Sequence, residues 1–231
     1  ITSLDANVLT DITGKTRTAI TAYGAYQPNF YQHDASLLEF VYNPIVINQA
    51  NAISVKFANM GVDILTNMTL NWTCNGVAQP AVNWTGNLSL GNTDVVKLGD
   101  VTQTHAGYVN IEVWISNINN SNDMNNNDDT LSMSEIVCNG PLAGGYYTVG
   151  TSPSATYETV KEVFDVLNTC GINDNVTFAF ENGIYNEQIF LDNVIQGTSD
   201  SAIITITSVS GNASDVQFTG NGMKKQEQKI C

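Results

Sequence analysis

The sequence predicts an all-β protein in two parts, an antiparallel β-sandwich followed by a β-solenoid capped by one short α-helix. Three observations carry that expectation. Across residues 33–137, short segments alternate apolar and polar side chains with period two. Turn-forming pairs separate those segments, Asn75-Gly76 being the sharpest. Beyond Cys138-Asn139-Gly140-Pro141 the pattern changes to one stretch of helical spacing and then short, more widely spaced strands.

Residues 1–28 come first: Thr-rich, punctuated by glycine, and without an apolar face large enough for a core. The sandwich candidates follow. Segment 35–42 carries Leu38, Phe40 and Tyr42 at period two, and segment 52–58 carries Ile53, Val55 and Phe57. Segment 68–73 places Met68, Leu70 and Trp72 on one face. Segment 109–115 places Val109, Ile111, Val113 and Ile115 on one face, with Glu112 and Trp114 opposite. Such alternation of β-branched and aromatic residues marks half-buried strands. Between 71–74 and 77–79, Asn75 and Gly76 both tolerate the positive φ of a type I′ hairpin turn. About seven strands in this span suit a sandwich.

In the second part, 146–149 reads as a strand. Tyr157, Val160, Phe164 and Leu167 then recur at helical spacing, predicting a helix over 157–168 with Thr156 as N-cap and Gly171 as stop. Segments 176–180, 185–191, 203–209 and 216–219 are strand-like, with Gly183, Gly197 and Gly211 at the corners. The helix would cover the open first coil, since an uncovered sheet edge invites aggregation.

Composition narrows the function classes. The 231 residues carry 8 Lys and Arg against 22 Asp and Glu, a net charge of −14, yet only 13% are charged and 42% are hydrophobic. That supports a packed core rather than disorder. An acidic surface repels phosphate, which argues against nucleic-acid partners. No run of eighteen apolar residues is present to span a membrane. The start has neither an initiator Met nor a signal-peptide pattern, so an internal piece of a longer protein is expected. The four cysteines, Cys74, Cys138, Cys170 and Cys231, form no metal-binding spacing; a Cys74–Cys138 disulfide and a fully reduced set are both open.

Three stretches resemble known families. Residues 51–83, NAISVKFANMGVDILTNMTLNWTCNGVAQPAVN, with the later WTGNLSLGNTDVVKLGD and IEVWISNINNSNDMNNNDD, resemble the CARDB-like immunoglobulin-type adhesion modules of large bacterial surface proteins. Residues 144–189 resemble the start of a right-handed parallel β-helix of the pectin-lyase-like type in Bacteroidetes-type secreted proteins. Tyr147, Val149, Tyr157, Val163, Leu167, Asn168, Gly183, Tyr185, Glu187 and Ile189 occupy the matching positions. The stretch DITGKTRTAITAYGAY resembles the last coil of such a helix through Asp11, Gly14, Arg17, Gly24 and Ala25, but Thr13 and Tyr26 depart from it. Together the resemblances imply a remnant of one β-helix at 1–28, an immunoglobulin-like sandwich at 33–137, and the capped start of another β-helix at 141–223. Residues 224–231 break the pattern and are expected to be a truncated or non-native tail.

The conspicuous chemistry lies in the Asn/Asp run 117–129. Asp123, Asn125, Asn127, Asp128 and Asp129 offer the hard oxygens that suit calcium, the one candidate cofactor. Their spacing matches the first half of a calcium loop, but no glycine stands at the sixth position and Ser134 stands at the twelfth. The alternative is a solvated hairpin tip whose side chains bond the local backbone. Trp84 and Trp114 are the candidate ligand-binding platform, while Trp72 is expected in the core. His33 and His105 are isolated and expected to be exposed. Glu181, Glu187 and Asp192 lie near the first coil, but no Lys, Arg or His stands between Glu162 and Gly222 to act as a lyase base. No catalytic residue is therefore expected, and Glu187 is expected to be structural. The first reading is a non-catalytic, extracellular or cell-surface modular protein, a spacer with an adhesion role toward a glycan or another surface protein. The second is the accessory and N-terminal part of a β-helix polysaccharide lyase or glycoside hydrolase.

Overall fold

A computed structural model of the chain describes residues 10–16, 31–187 and 194–220. Eight strands form the first unit: β1 (Ala35–Tyr42), β2 (Asn51–Asn59), β3 (Leu65–Cys74), β4 (Val77–Ala78), β5 (Val82–Leu88), β6 (Thr93–Val101), β7 (Gly107–Ser116) and β8 (Thr130–Val137). One sheet has the order β1-β2-β6. In the other, β7 lies between β3 and β8, and β4 and β5 both pair with β3. Every pairing here is antiparallel. The chain changes sheet after β2, after β5 and after β6, which is the connectivity of an immunoglobulin-like sandwich.

The alternation read from the sequence is observed in β2, β3 and β7, but not in β1, where a register shift between Leu37 and Glu39 leaves Leu38 and Tyr42 exposed. Val109, Ile111, Val113 and Ile115 are buried; beside Leu70 and Trp72 of the same sheet they share one core with Ile53, Val55 and Phe57 of the other. The Asn75-Gly76 turn has φ of 48° and 74°, the two positive values that a type I′ hairpin requires.

In the second unit, β9 (Gly145–Val149), β10 (Val176–Phe180) and β12 (Ile204–Ser208) form a parallel sheet in that order. β11 (Gly183–Tyr185) and β13 (Val216–Phe218) form a second parallel pair. Gly145 pairs with Val176 and Val176 with Ile204, while Gly183 pairs with Val216, so successive passes of the chain stack in register. The inside is aromatic: Phe178 stacks on Tyr147 at 5.6 Å, and Phe180 meets Tyr185 and Phe218 edge-on at 5.2 and 5.1 Å. Such pairs contribute about 1 kcal/mol each beyond area burial. Two glycines permit the tight stacking of loops. Gly197 (φ +88°) has a position where a Cβ would collide with the Ile172 carbonyl oxygen, and Gly171 (φ +68°) would place one 2.6 Å from the Gln196 carbonyl oxygen. Their bareness lets the Ile172 amide donate to Gln196 at 2.9 Å.

The helix α1 (Val160–Cys170) caps this stack, with Val160, Val163, Phe164, Val166 and Leu167 turned inward. It starts three residues later than the apolar spacing predicts. Its N-cap is Thr159, not Thr156, because Thr159 accepts from the Glu162 amide at 3.0 Å while Thr156 is held on the Thr148 hydroxyl. Tyr157 is buried as expected but belongs to the approach, in a bridge to Val149. Gly171 does end the helix. The cysteine pairing is also corrected: Cys138 bonds Cys170, with Cα atoms 5.8 Å apart, and Cys74 is a free, half-buried thiol. Cys74 ends β3 within the sandwich, whereas Cys138 leaves β8 beside the last residue of α1.

Within 10–16, Asp11 accepts from the amides of Thr13 and Lys15 in a tight turn. Arg17, Gly24, Ala25, Ile189, Asp192 and the tail 224–231 lie outside the described residues. Among the described residues no helix is long and apolar enough to cross a membrane.

Candidate functional site

β7 and β8 form an antiparallel ribbon, and each of its ends carries a cluster of polar chemistry. At one end lies the run 117–129. Asn117, Asn119 and Asn120 take positive φ, which Asn tolerates best after Gly. Asn119 is tied down by its side chain, accepting from Thr66 and donating to the Ile64 carbonyl. The run then folds across the entrance to β1. The Met124 amide donates to the His33 carbonyl, the Asp123 carboxylate accepts from the Ala35 amide at 2.8 Å, and the Asp128 carbonyl accepts from the Leu37 amide at 3.0 Å.

This docking brings together four carboxylates. Asp34, just before β1, joins Asp123, Asp128 and Asp129. Asp34 is 6% exposed and Asp129 is 8% exposed, and one carboxylate oxygen of each, Oδ1, has no hydrogen-bond partner. Burial, then the charges of Asp128 and Asp123, raise the Asp34 carboxyl to about 6. Burial, then Asp123, pushes Asp129 strongly in the same direction. Asn125 donates to Asp128 at 3.0 Å. Asn127 is exposed and turns to Asn125, so it stands outside the cluster. Asn126 turns its amide nitrogen to this cluster, donating to Asp129 Oδ2 at 3.2 Å and to the Asp123 carbonyl at 3.3 Å. Among the described residues, no ion pair neutralises these four carboxylates, and no three His, Cys, Asp or Glu side chains stand closed round one metal-binding point. Asp34 was missed because it lies 89 residues from Asp123 in the chain, and only the fold brings them together.

At the other end the sandwich meets the capping helix. The Cys138–Cys170 bond joins the two units. The Tyr108 hydroxyl donates to Asp165 at 2.5 Å, and Lys161 reaches both the Tyr108 hydroxyl and the Asp165 carboxylate. Lys161 also lies 5.5 Å over the Tyr108 ring. Burial works against the Asp165 charge, but the bonds from Lys161 and Tyr108 prevail and hold its carboxyl below the usual range. The bond to Asp165 in turn raises Lys161. His105 meets Tyr157 edge-on at 5.7 Å, and Ala106 and Ile136 pack against the core of the second unit. His105 is thus half-buried in the contact rather than free. His33, also half-buried, stands 3.6 Å from Asp63.

Beside this contact runs a groove of about 500 Å³, lined by Asn75, Gln103, His105, Tyr108, Asn110 and Glu162 among others. Glu162 is engaged there, accepting from the amides of Tyr108 and Glu158. Glu187 accepts from the amides of Val160 and Lys161, so it caps α1 from a neighbouring strand end. Glu181 holds the Ser152 amide and hydroxyl.

The tryptophans separate. Trp84 does not offer a platform: it is 8% exposed, packs edge-on against Phe57 at 5.1 Å, and its Nε1 donates to Asp94. Trp114 lies half-buried on the outer side of β7, between Asn71 and Thr130 on the adjacent strands.

Neither a protein-family model nor a curated protein sequence matches the chain. Among solved structures, it is similar to the CARDB domain of the PF1109 protein from Pyrococcus furiosus, crystallised with di-metal ions, at 21% identity and a TM-score of 0.40, over 48% of this chain and 97% of that one. It is also similar to a domain of a Methanosarcina acetivorans protein named for the cell surface, at 18% identity and a TM-score of 0.39, over 46% of this chain and 93% of that one.

Proposed function

We propose that the chain is a non-catalytic, extracellular spacer in a modular surface protein, in which an immunoglobulin-like sandwich is rigidly joined to the capped start of a parallel β-helix. The observation that carries this reading is the Cys138–Cys170 bond from the end of β8 to the end of α1. A disulfide persists outside the reducing cytosol. Placed between two units, this one also fixes their relative orientation, which is what a spacer needs and a flexible linker lacks. The stacked parallel strands support the β-helix part of the reading, since each further pass would lengthen the rod.

The adhesion part of the reading rests on surfaces rather than on catalytic groups. The junction groove presents amide, hydroxyl and imidazole groups of the kind that bind sugar hydroxyls, and Trp114 is the half-exposed indole. Glu162, Glu181 and Glu187 all hold backbone amides, and Asp165 is paired with Lys161 and Tyr108, which suits support rather than acid–base work. The test is a glycan array with the whole chain, run beside reducing-end and unsaturated-product assays on the same polysaccharides. Binding without turnover is expected. Turnover that survives purification and is lost on substitution of a groove carboxylate would overturn the reading in favour of the lyase or hydrolase alternative.

A further inference from the structure

The carboxylate cluster at the far end of the β7–β8 ribbon has no part in the spacer reading, yet its arrangement is costly. Four acidic side chains from two distant segments converge there, two of them more than nine-tenths buried. Buried carboxylates normally find a cation or several hydrogen-bond donors. Here Asp34 Oδ1 and Asp129 Oδ1 have neither.

We propose that Asp34, Asp123, Asp128 and Asp129 bind one calcium ion that fastens the start of β1 to the β7–β8 loop. The donors are all hard oxygens, and they are irregularly disposed in two loop segments. Calcium accepts six to eight such ligands in flexible geometry, whereas magnesium demands a near-ideal octahedron and keeps its waters. The side chains do not already close round one point, because Asp123 is drawn to the Ala35 and Asn125 amides. The membership differs from the sequence expectation: Asp34 enters, Asn127 leaves, and Asn125 serves as a hydrogen-bond donor to Asp128. Calcium is abundant outside cells, where the spacer would work, but the site does not depend on that reading.

The test uses the whole chain in three buffers: 1 mM EDTA, 1 mM calcium and 1 mM magnesium. Calcium is expected to raise the melting temperature by about 5 °C and magnesium by much less, and titration calorimetry should give one calcium per chain. D34N and D129N each conserve shape and should fold in EDTA, yet lose most of the calcium response. D200N, remote from the cluster, should keep it. No calcium-dependent shift and no binding heat in the wild-type chain would overturn the proposal, as would a full response in both D34N and D129N. Neither result would disturb the spacer reading, which is tested at the other end of the ribbon.

Discussion

The two ends of the β7–β8 ribbon solve opposite problems. At the junction with the capping helix, the charged and sulfur groups are matched, a thiol with a thiol, Tyr108 with Asp165 and Asp165 with Lys161, and apolar side chains meet the second core; the buried Tyr157 hydroxyl alone among them has no partner. At the far end like is set against like, with four carboxylates gathered and two of their oxygens without partners. The charges of the junction are met by atoms of this chain. The far end asks for a cation. Buried polar groups carry large costs or large gains according to whether each finds its partner, and this molecule displays both cases on one pair of strands.

The largest effect should come from breaking the junction. C138S/C170S removes the cross-link and is expected to cost about 3 kcal/mol in urea unfolding under oxidising conditions. Under reducing conditions the wild-type chain should fall to the level of the variant. The next effect has the opposite sign and belongs to the other end. In EDTA, D34N should stabilise the fold by about 1–2 kcal/mol, because it removes one buried like charge without changing shape. A loss of stability there would mean that Asp34 is already well partnered. A third contrast tests how the cap is held. E187Q weakens the anion that meets the first amides of α1, and about 1 kcal/mol should be lost, seen as faster hydrogen exchange at Val160 and Lys161. The smallest effect is in pH. The Asp165 carboxyl is held below its unfolded value, so its contribution is present above about pH 4 and fades as pH falls through the lower folded value. With Lys161 largely exposed, the pair is worth about 0.5 kcal/mol. The acid limb of a stability profile should therefore be slightly shallower in D165N.

Much of the architecture was legible in the residues. Central strands such as β2, β3, β7 and β10 bury one face or both, and their apolar spacing shows it. The strands not picked out individually, β5, β6 and β8, are edge strands whose exposure blurs the alternation. The helix start was readable in principle, since Thr159-Val-Lys-Glu162 is a capping-box pattern; Tyr157 continued the apolar spacing one turn too far back. The disulfide was not readable, because four widely spaced cysteines allow several pairings and only the packing of α1 on the sandwich selects one. In the acidic cluster, local sequence marked Asp123, Asp128 and Asp129, but long-range pairing alone supplies Asp34. The burial of Trp84 likewise follows from a contact with Phe57 in the opposite sheet, which no local pattern reveals.

The central claim is that the sandwich and the capped parallel unit move as one body. Residual dipolar couplings from the oxidised chain test it most directly, with alignment tensors fitted separately to residues 35–137 and to residues 142–180. One shared tensor is the predicted result, and it should split in C138S/C170S. Two different tensors in the oxidised wild-type chain would mean that the junction bends, and the spacer account would fail.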